Sequence, residues 1–453
     1  MKRNRLLVLS SVALLASGAI LFACSGGDDD VDSGTDASKT DAKTDGTTTQ
    51  DAKADQTVAD TGTDTGNDAT LSDATADADD SSTTTDAGTD ADDGGVITDA
   101  STDAITDAST DGGTVVTFMV LRVGGSSDPD AGADAALSNV ATQSFLEERN
   151  VSDGSLVRVL TLPTSVDAGN EPLTLGGTAT SEGSLTRSAD THYVVVGGYG
   201  TAPGVPDAAV GANTAFDAGV PRVVARVDKN GNIDTTTQLN AFNKTNIRGV
   251  ASNDGTSFWA TGAANDGTQY VALGSTGTTT NLQTTLLNER VVQIFGGQVY
   301  VSSSSGAFHG VSTVGTGLPT TTGQTVTLLP GMPVDAGSAY GFSMLDLDAS
   351  VSGLDTLYIA DDTGTTGGVQ KWVFNGTTWT KVATFNDKTT TGFRGLTAYF
   401  DGANVVLLGT TGDSTNPNTV VKYVDDGINT PTGTVLATAP TNCAFRGFAL
   451  SPQ

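Results

Sequence analysis

The chain has 453 residues, an isoelectric point near 4.1 and a net charge of −30. That acidity argues against nucleic acid, whose phosphates are met by Lys and Arg that displace counterions. Two cysteines (Cys24, Cys443) and two histidines (His192, His309) rule out a disulfide scaffold and leave little for a cysteine- or imidazole-built metal centre.

Lys2, Arg3 and Arg5 precede a run, Leu6 to Phe22, that is apolar or small throughout. A basic start, an apolar stretch and a small residue before a cut describe a secretory signal. Leu21-Phe22-Ala23-Cys24 resembles the lipobox of bacterial lipoproteins, although Phe22 stands where that family has a small or aliphatic residue. The resemblance covers residues 1–26. It implies a signal peptide over 1–23, cleavage before Cys24, diacylglycerol on its sulfur, and hence the membrane as a partner. Ser25, where an Asp would imply retention in the inner membrane, points to the outer membrane of a Gram-negative envelope. An ordinary signal peptide, or a retained helix with an incidental cysteine, is the alternative.

Residues 24–112 form a tether. Between Ser25 and Asp111 there are 24 Asp and three Lys, a net −21, which leaves residues 112–453 with −12. Aromatic residues are absent from Phe22 to Phe118, so the segment cannot bury enough apolar surface to offset its ordering entropy and is expected to be disordered. As a flexible coil it would reach ~50 Å root mean square, more with charge repulsion.

Residues 113–453 read as one all-β domain. Apolar strands ending in small residues recur at 193–198, 258–262, 299–303, 357–360 and 405–409. A second strand follows each, at 222–227, 269–273, 307–311, 369–374 and 420–424, then a turn such as Asn230-Gly231 or Asn375-Gly376, then a Thr-rich return. Such a repeat decides architecture. Units begin near 183, 246, 288, 340 and 392. The stretch from Cys443 to Ser451 matches only the opening strand of a unit, while 117–124, 143–151 and 155–163 supply three strands without an opener. One sheet built from both ends would close a ring of six blades and remove exposed edges. The fragment 357–379, LYIADDTGTTGGVQKWVFNGTTW, resembles a blade of six-bladed NHL-like β-propellers. A β-helix or sandwich is the alternative fold.

Individual motifs carry little chemistry. Asp228 to Asp234 looks like the start of an EF-hand loop, but Ile233 replaces the needed Gly and Leu239 the needed Glu, so it reads as a hairpin turn. Glu147 and Glu148 point to opposite faces of a strand and form no catalytic dyad. Asp361-Asp362 reads as solvated turn carboxylates, His192 and His309 as surface or packing residues, and Trp259, Trp372 and Trp379 as packing between blades. Cys443 reads as a small buried apolar residue.

Four units open with arginine: Arg248, Arg290, Arg394 and Arg446, three of them followed by Gly. In a propeller the opening strand is innermost, so these side chains should crowd near one end of the tunnel. They read either as an anion-binding mouth or as ties between blades. Ser184 and Phe342 or Ser343 are expected at the same place in the other units. The functional reading is a monomeric, non-enzymatic binding or display module, without cofactor or metal, for a protein, glycan or small anionic ligand. The alternatives are a lactonase-like hydrolase, which would bring Glu, Asp and Asn together at the tunnel mouth, and a purely structural surface protein. The five glutamates (147, 148, 171, 182, 289) do not recur as openers of units.

The lipobox reading makes a prediction. Cys24→Ser should abolish lipidation and release the protein from the membrane. An unchanged mass and unchanged partition into detergent would refute it.

Overall fold

A computed structural model describes residues 115–206, 220–243, 245–263, 266–334, 336–412 and 417–453. Cys24 and the acidic segment 24–112 lie outside the described residues, apart from which the fold can be followed strand by strand.

The described residues form a six-bladed β-propeller. Blade 1 is built from both ends of the domain: Ala444–Leu450 innermost, then Thr117–Val123, Ser144–Asn150 and Leu156–Thr161. Blade 2 runs outward from Thr186–Arg187 through Tyr193–Tyr199 and Arg222–Asp228 to Ile233–Leu239. The inner strands of blades 3 to 6 are Ile247–Ser252, Val292–Phe295, Ala339–Leu345 and Phe393–Phe400. Each inner strand touches the next around the axis, including blade 6 against blade 1 and blade 1 against blade 2, so the ring is closed. Phe118 pairs with Leu450 and Val123 with Ala444, which joins the two ends in one antiparallel ladder.

The strands read as nearly continuous apolar runs because both faces are buried. Successive side chains point to opposite faces. Met119, Leu121 and Val123 therefore enter a cluster shared with blade 2, while Phe118 and Val120 enter one shared with blade 6. Six clusters result, one at each blade interface. Full burial of each Val, Leu, Ile or Phe contributes about 1.5–3 kcal/mol, and the cost of ordering two dozen short strands is met at these six seams. Trp259 fills the seam between blades 3 and 4, and its indole N–H donates to Pro319 O at 2.8 Å. Trp372 and Trp379 fill the seam between blades 4 and 5. Cys443 is buried just before the closing strand.

Two features depart from the repeat. The Thr-rich return of blade 3 is split: Thr280–Asn281 pairs with its own blade, but Thr276–Gly277 runs parallel to the outer strand of blade 2. Ala141–Thr142 and Leu175–Gly176 form a separate two-stranded ladder, which steers the chain from blade 1 into blade 2. The segment 228–234 is a hairpin turn, with Asp228 Oδ1 accepting from the N–H groups of Asn230 and Asn232 at 2.9 Å each. The expectation for Asp361-Asp362 is corrected. Asp361 is buried and accepts from Ser338 N (2.9 Å) and Gln370 Nε2 (2.6 Å), and Asp362 is taken up by an arginine described below. Buried carboxylates need such partners, and two successive residues found them because their strand ends at a blade interface.

The inner strands approach so closely that side chains are excluded at particular positions. A Cβ on Gly447 would lie 2.1 Å from Gly183 O and from Leu185 N of blade 2, and one on Gly395 would lie 2.6 Å from Arg446 O. Gly447→Ala should therefore cost about 3 kcal/mol or more through forced backbone shifts. A thermal melt matching that of the wild type would mean that the strands can separate without penalty.

Candidate functional site: the tunnel mouth

The close approach of the inner strands fixes a common register. Gly249 faces Arg290 O, Gly341 faces Arg394 O, Gly395 faces Arg446 O and Gly447 faces Gly183 O, while Ser184 N donates to Arg248 O at 3.2 Å. The residue before each of these positions is thus equivalent from blade to blade. In ring order from blade 1 the set is Arg446, Gly183, Arg248, Arg290, Tyr340 and Arg394. The expectation of Ser184, and of Phe342 or Ser343, at this position is corrected to Gly183 and Tyr340. The error arose from counting back from turns, which vary in length, instead of following the close approach at the axis.

A β-bulge presents most of these residues. The pairing of the inner strand with its neighbour slips at Arg248, at Tyr340-Gly341, at Arg394 and at Arg446-Gly447. An extra residue in one strand re-aims its side chain out of the ladder. At Arg290 the backbone does something similar, since Ser302 accepts from Arg290 N and donates to Val291 O, both at 2.9 Å.

The structure brings the four arginines into one electrostatic neighbourhood. Arg248 sends Nη1 to Asn288 Oδ1 (2.5 Å) and Glu289 O (3.1 Å), at the threshold of blade 4. Arg290 sends Nη1 to Ser338 Oγ (2.7 Å) and Ala339 O (3.0 Å), at the threshold of blade 5. Arg394 reaches back to Asp362 Oδ2 of blade 5 through Nε and Nη2, both at 2.8 Å. Arg446 is buried and donates to the carbonyls of Ala179, Gly176 and Gly177, the last at 2.8 Å. Tyr340 lies against two of them, its ring centroid 3.9 Å from Arg290 Cζ and 4.9 Å from Arg394 Cζ.

Burial, with the like charges nearby, shapes the electrostatics of this group. Burial, and then the neighbouring guanidinium, hold Arg248 and Arg290 below the ordinary arginine range. Burial brings Arg446 down to about 10, with Arg394 adding to the effect and Glu182 opposing it. Nε of Arg248 and of Arg446 are buried with no partner among the described residues.

Glu182 completes the mouth. It sits where the ring has only Gly183, and its carboxylate accepts from Tyr199 Oη (2.6 Å), Asn246 Nδ2 and Gly176 N (2.9 Å). Burial raises its affinity for a proton, against these bonds and the attraction of Arg446. Glu289 stands just before Arg290 as Glu182 stands just before Gly183, although neither lies within its blade's inner strand, Val292–Phe295 or Thr186–Arg187. Glu289 accepts from Thr268 Oγ1 at 2.7 Å, while its Oε2 is buried without a partner among the described residues, and burial raises its pKa to about 8. A small cavity of about 30 Å³ lies among Glu182, Tyr340, Arg394, Arg446 and the loop 180–184. That is room for one or two waters.

Tyr340 and Asn288 were not singled out from the sequence, and Glu182 and Asp362 were named there without a place at the mouth. Tyr340-Gly341 could have been found by its likeness to the Arg-Gly pairs, and the Glu pair by aligning Glu182-Gly183 with Glu289-Arg290. Elsewhere, Glu147 pairs with Arg122 and Arg149 while Glu148 pairs with Arg158, so the two acids have separate partners. His192 is exposed beside Asp190. Among the described residues no three His, Cys, Asp or Glu side chains group to hold a metal ion.

No protein-family model matches this chain, and no curated protein matches it. Several solved structures are similar. A nidogen/laminin complex structure gives a TM-score of 0.43 at 13% identity, over 74% of this chain and 98% of that one. A streptogramin B lyase gives 0.40 at 10% identity, over 74% and 98%. A putative 6-phosphogluconolactonase from Bacteroides uniformis gives 0.39 at 11% identity, over 72% and 84%.

Glu289 generates a pH prediction. Its folded pKa lies above the unfolded one, so the folded state holds the extra proton between the two values. Stability from this group is full below about pH 4.5 and falls as pH rises to about 8, by up to about 1.4 kcal/mol per pH unit. Glu182 acts in the same sense. Glu289→Gln should flatten part of the fall in melting temperature between pH 5 and 8, and a variant with the wild-type slope would show that Glu289 does not titrate there.

Proposed function

We propose that this chain is a lipid-anchored cell-envelope protein whose propeller is a non-enzymatic binding module for an anionic ligand, taken at the arginine-lined tunnel mouth. The observation that carries the reading is the four-arginine arc in a domain that is otherwise acidic. Three of its guanidiniums bear a cost for being charged in the fold. An anion would relieve that cost, and guanidinium forks suit carboxylate or phosphoryl oxygens. The bonds from Arg248 and Arg290 to neighbouring blades use only Nη1, so they hold these side chains in place while leaving other N–H groups for a ligand. A rigidly held donor set loses little entropy on binding. The membrane anchor through Cys24 and the outer-membrane location complete the proposal and rest on the signal sequence.

A second reading has support in the same bonds. Each arginine reaches an adjoining blade or the segment leading into it, and such ties alone would account for all four. Arg248→Ala with Arg394→Ala separates the two. Ligand binding implies retained folding and loss of a salt-sensitive anion affinity, with the wild type alone gaining melting temperature from added anions. A large fall in melting temperature, with no anion effect in the wild type, would leave ties as the whole role.

A further inference from the structure

Two of the three tryptophans have their indole N–H satisfied within the fold. Trp259 Nε1 donates to Pro319 O at 2.8 Å and Trp372 Nε1 to Gln370 Oε1 at 2.9 Å. The third does not. Trp379 is 4% exposed, yet its Nε1 donates to nothing among the described residues. A buried indole N–H ordinarily finds an acceptor. The atom is not sealed inside the seam, and Trp379 borders an open cleft of about 450 Å³ beside the outer strands of blade 5, Gly368–Phe374 and Trp379–Phe385. Trp372, Trp379 and Lys381 line one wall, and Gly331, Pro333 and Ala336, which precede blade 5 in the chain, line the other. Strand register sets the direction of the first wall. Trp372 pairs with Lys381 and Phe374 with Trp379, so these four side chains share one face. Both walls are tied together, since Trp379 N donates to Pro330 O at 2.7 Å and Gln370 Nε2 to Ala336 O at 3.0 Å. Lys371 and Lys388 pair with aspartates and Lys422 with carbonyls, whereas Lys381 has no partner among the described residues.

We propose that this cleft binds a small molecule that joins a carboxylate to an apolar body. The site is separate from the tunnel mouth and does not rest on the anion-binding reading there. Its volume lies in the range of small-molecule sites. On the shared face the polar groups left over are donors only, one indole N–H and one ammonium. Trp379 and Lys381 are two residues apart on one strand, roughly 7 Å between Cα atoms. The flexible stem of the lysine lets its ammonium turn toward the indole. A carboxylate has two oxygens, one for each donor, and its charge strengthens both bonds. An alcohol would meet the N–H and leave the ammonium without a counter-charge, and a cation would be repelled. A polyol would find no side-chain acceptor on this face for its hydroxyl protons. Pro333, Ala336 and the indole edges offer apolar surface to the rest of the ligand. The ties between the walls hold the cleft open in advance, so little ordering is lost on binding.

The test is calorimetric titration of the full-length protein with hexanoate, N-acetylleucine, 1-hexanol, hexylamine and acetate. Hexanoate should bind about tenfold tighter than 1-hexanol, the margin of a hydrogen bond to a charged group, and should also exceed hexylamine and acetate. Lys381→Met keeps the stem and removes the charge. It should bring hexanoate within about twofold of 1-hexanol, and it should leave the melting temperature of the unliganded protein unchanged, because the lysine makes no bond in the fold. Trp379→Phe removes the N–H and should weaken hexanoate several-fold. Should that variant fail to fold, Lys381→Met decides alone. N-acetylleucine binding at least as tightly as hexanoate makes a peptide C-terminus the source of the carboxylate, and weaker binding makes it a free acid. Equal binding of 1-hexanol and hexanoate by the wild type overturns the inference, as does failure of every probe to bind. A hexanoate affinity unchanged in Lys381→Met overturns it too, since the acid would then sit elsewhere, as at the tunnel arginines.

Discussion

The structure depends on how closely six strands can approach one axis. Backbone from one blade passes within van der Waals contact of backbone from the next, and at Gly249, Gly341, Gly395 and Gly447 there is no space for a Cβ. The glycine requirement explains the recurrent Arg-Gly pairs from the inside: the glycine admits the neighbouring strand, and the residue before it is pushed into a bulge and turned toward the tunnel. The arginines are therefore not scattered charges that happen to meet. One steric condition, repeated around the ring, sets both the packing and the position of the side chains at the mouth.

Gathering cations there has a cost that the fold offsets locally. Carbonyls of the 176–179 loop, Asp362, Ser338 and Asn288 each accept from a guanidinium, and the ring of Tyr340 lies against two of these guanidiniums, those of Arg290 and Arg394. These contacts do not cancel the desolvation, as the lowered pKa values of three arginines show. Perturbed groups of this type occur both at ligand sites and in structural ion networks. In Glu182 the chain supplies one acid of its own, placed where the ring lacks a long side chain.

The fold was legible in the sequence where a local signal coincided with a global one. Apolar runs that end in small residues marked the middle strands because both of their faces are buried, and the unmatched openers and closers at the two ends of the domain marked the shared blade. The site was only partly legible. The four arginines stood out as a repeated residue type, but Tyr340 replaced arginine in the same register and was invisible to a search by identity. Asp361 and Asp362 looked solvated because a turn follows them, whereas their surroundings are decided by blade 6 and by the segment around Ser338. Glu182 lies in an irregular loop with no periodic pattern, and its burial depends on strands from three blades. Such placements arise from tertiary packing and leave no trace in spacing.

The shared blade also governs when the protein can become itself. Phe118 must find Leu450, roughly 330 residues later in the chain, before the first sheet gains its innermost strand. Loop closure over that distance is slow, and contacts so remote in sequence place the domain among slow-folding topologies. Until the last strand is made, blades 1 and 6 expose Phe118, Val120, Leu408 and Val420, which the ring otherwise covers. A chain emerging in order from a ribosome or a translocation pore would thus stay open and adhesive until its final segment arrives, and would then close in one cooperative step.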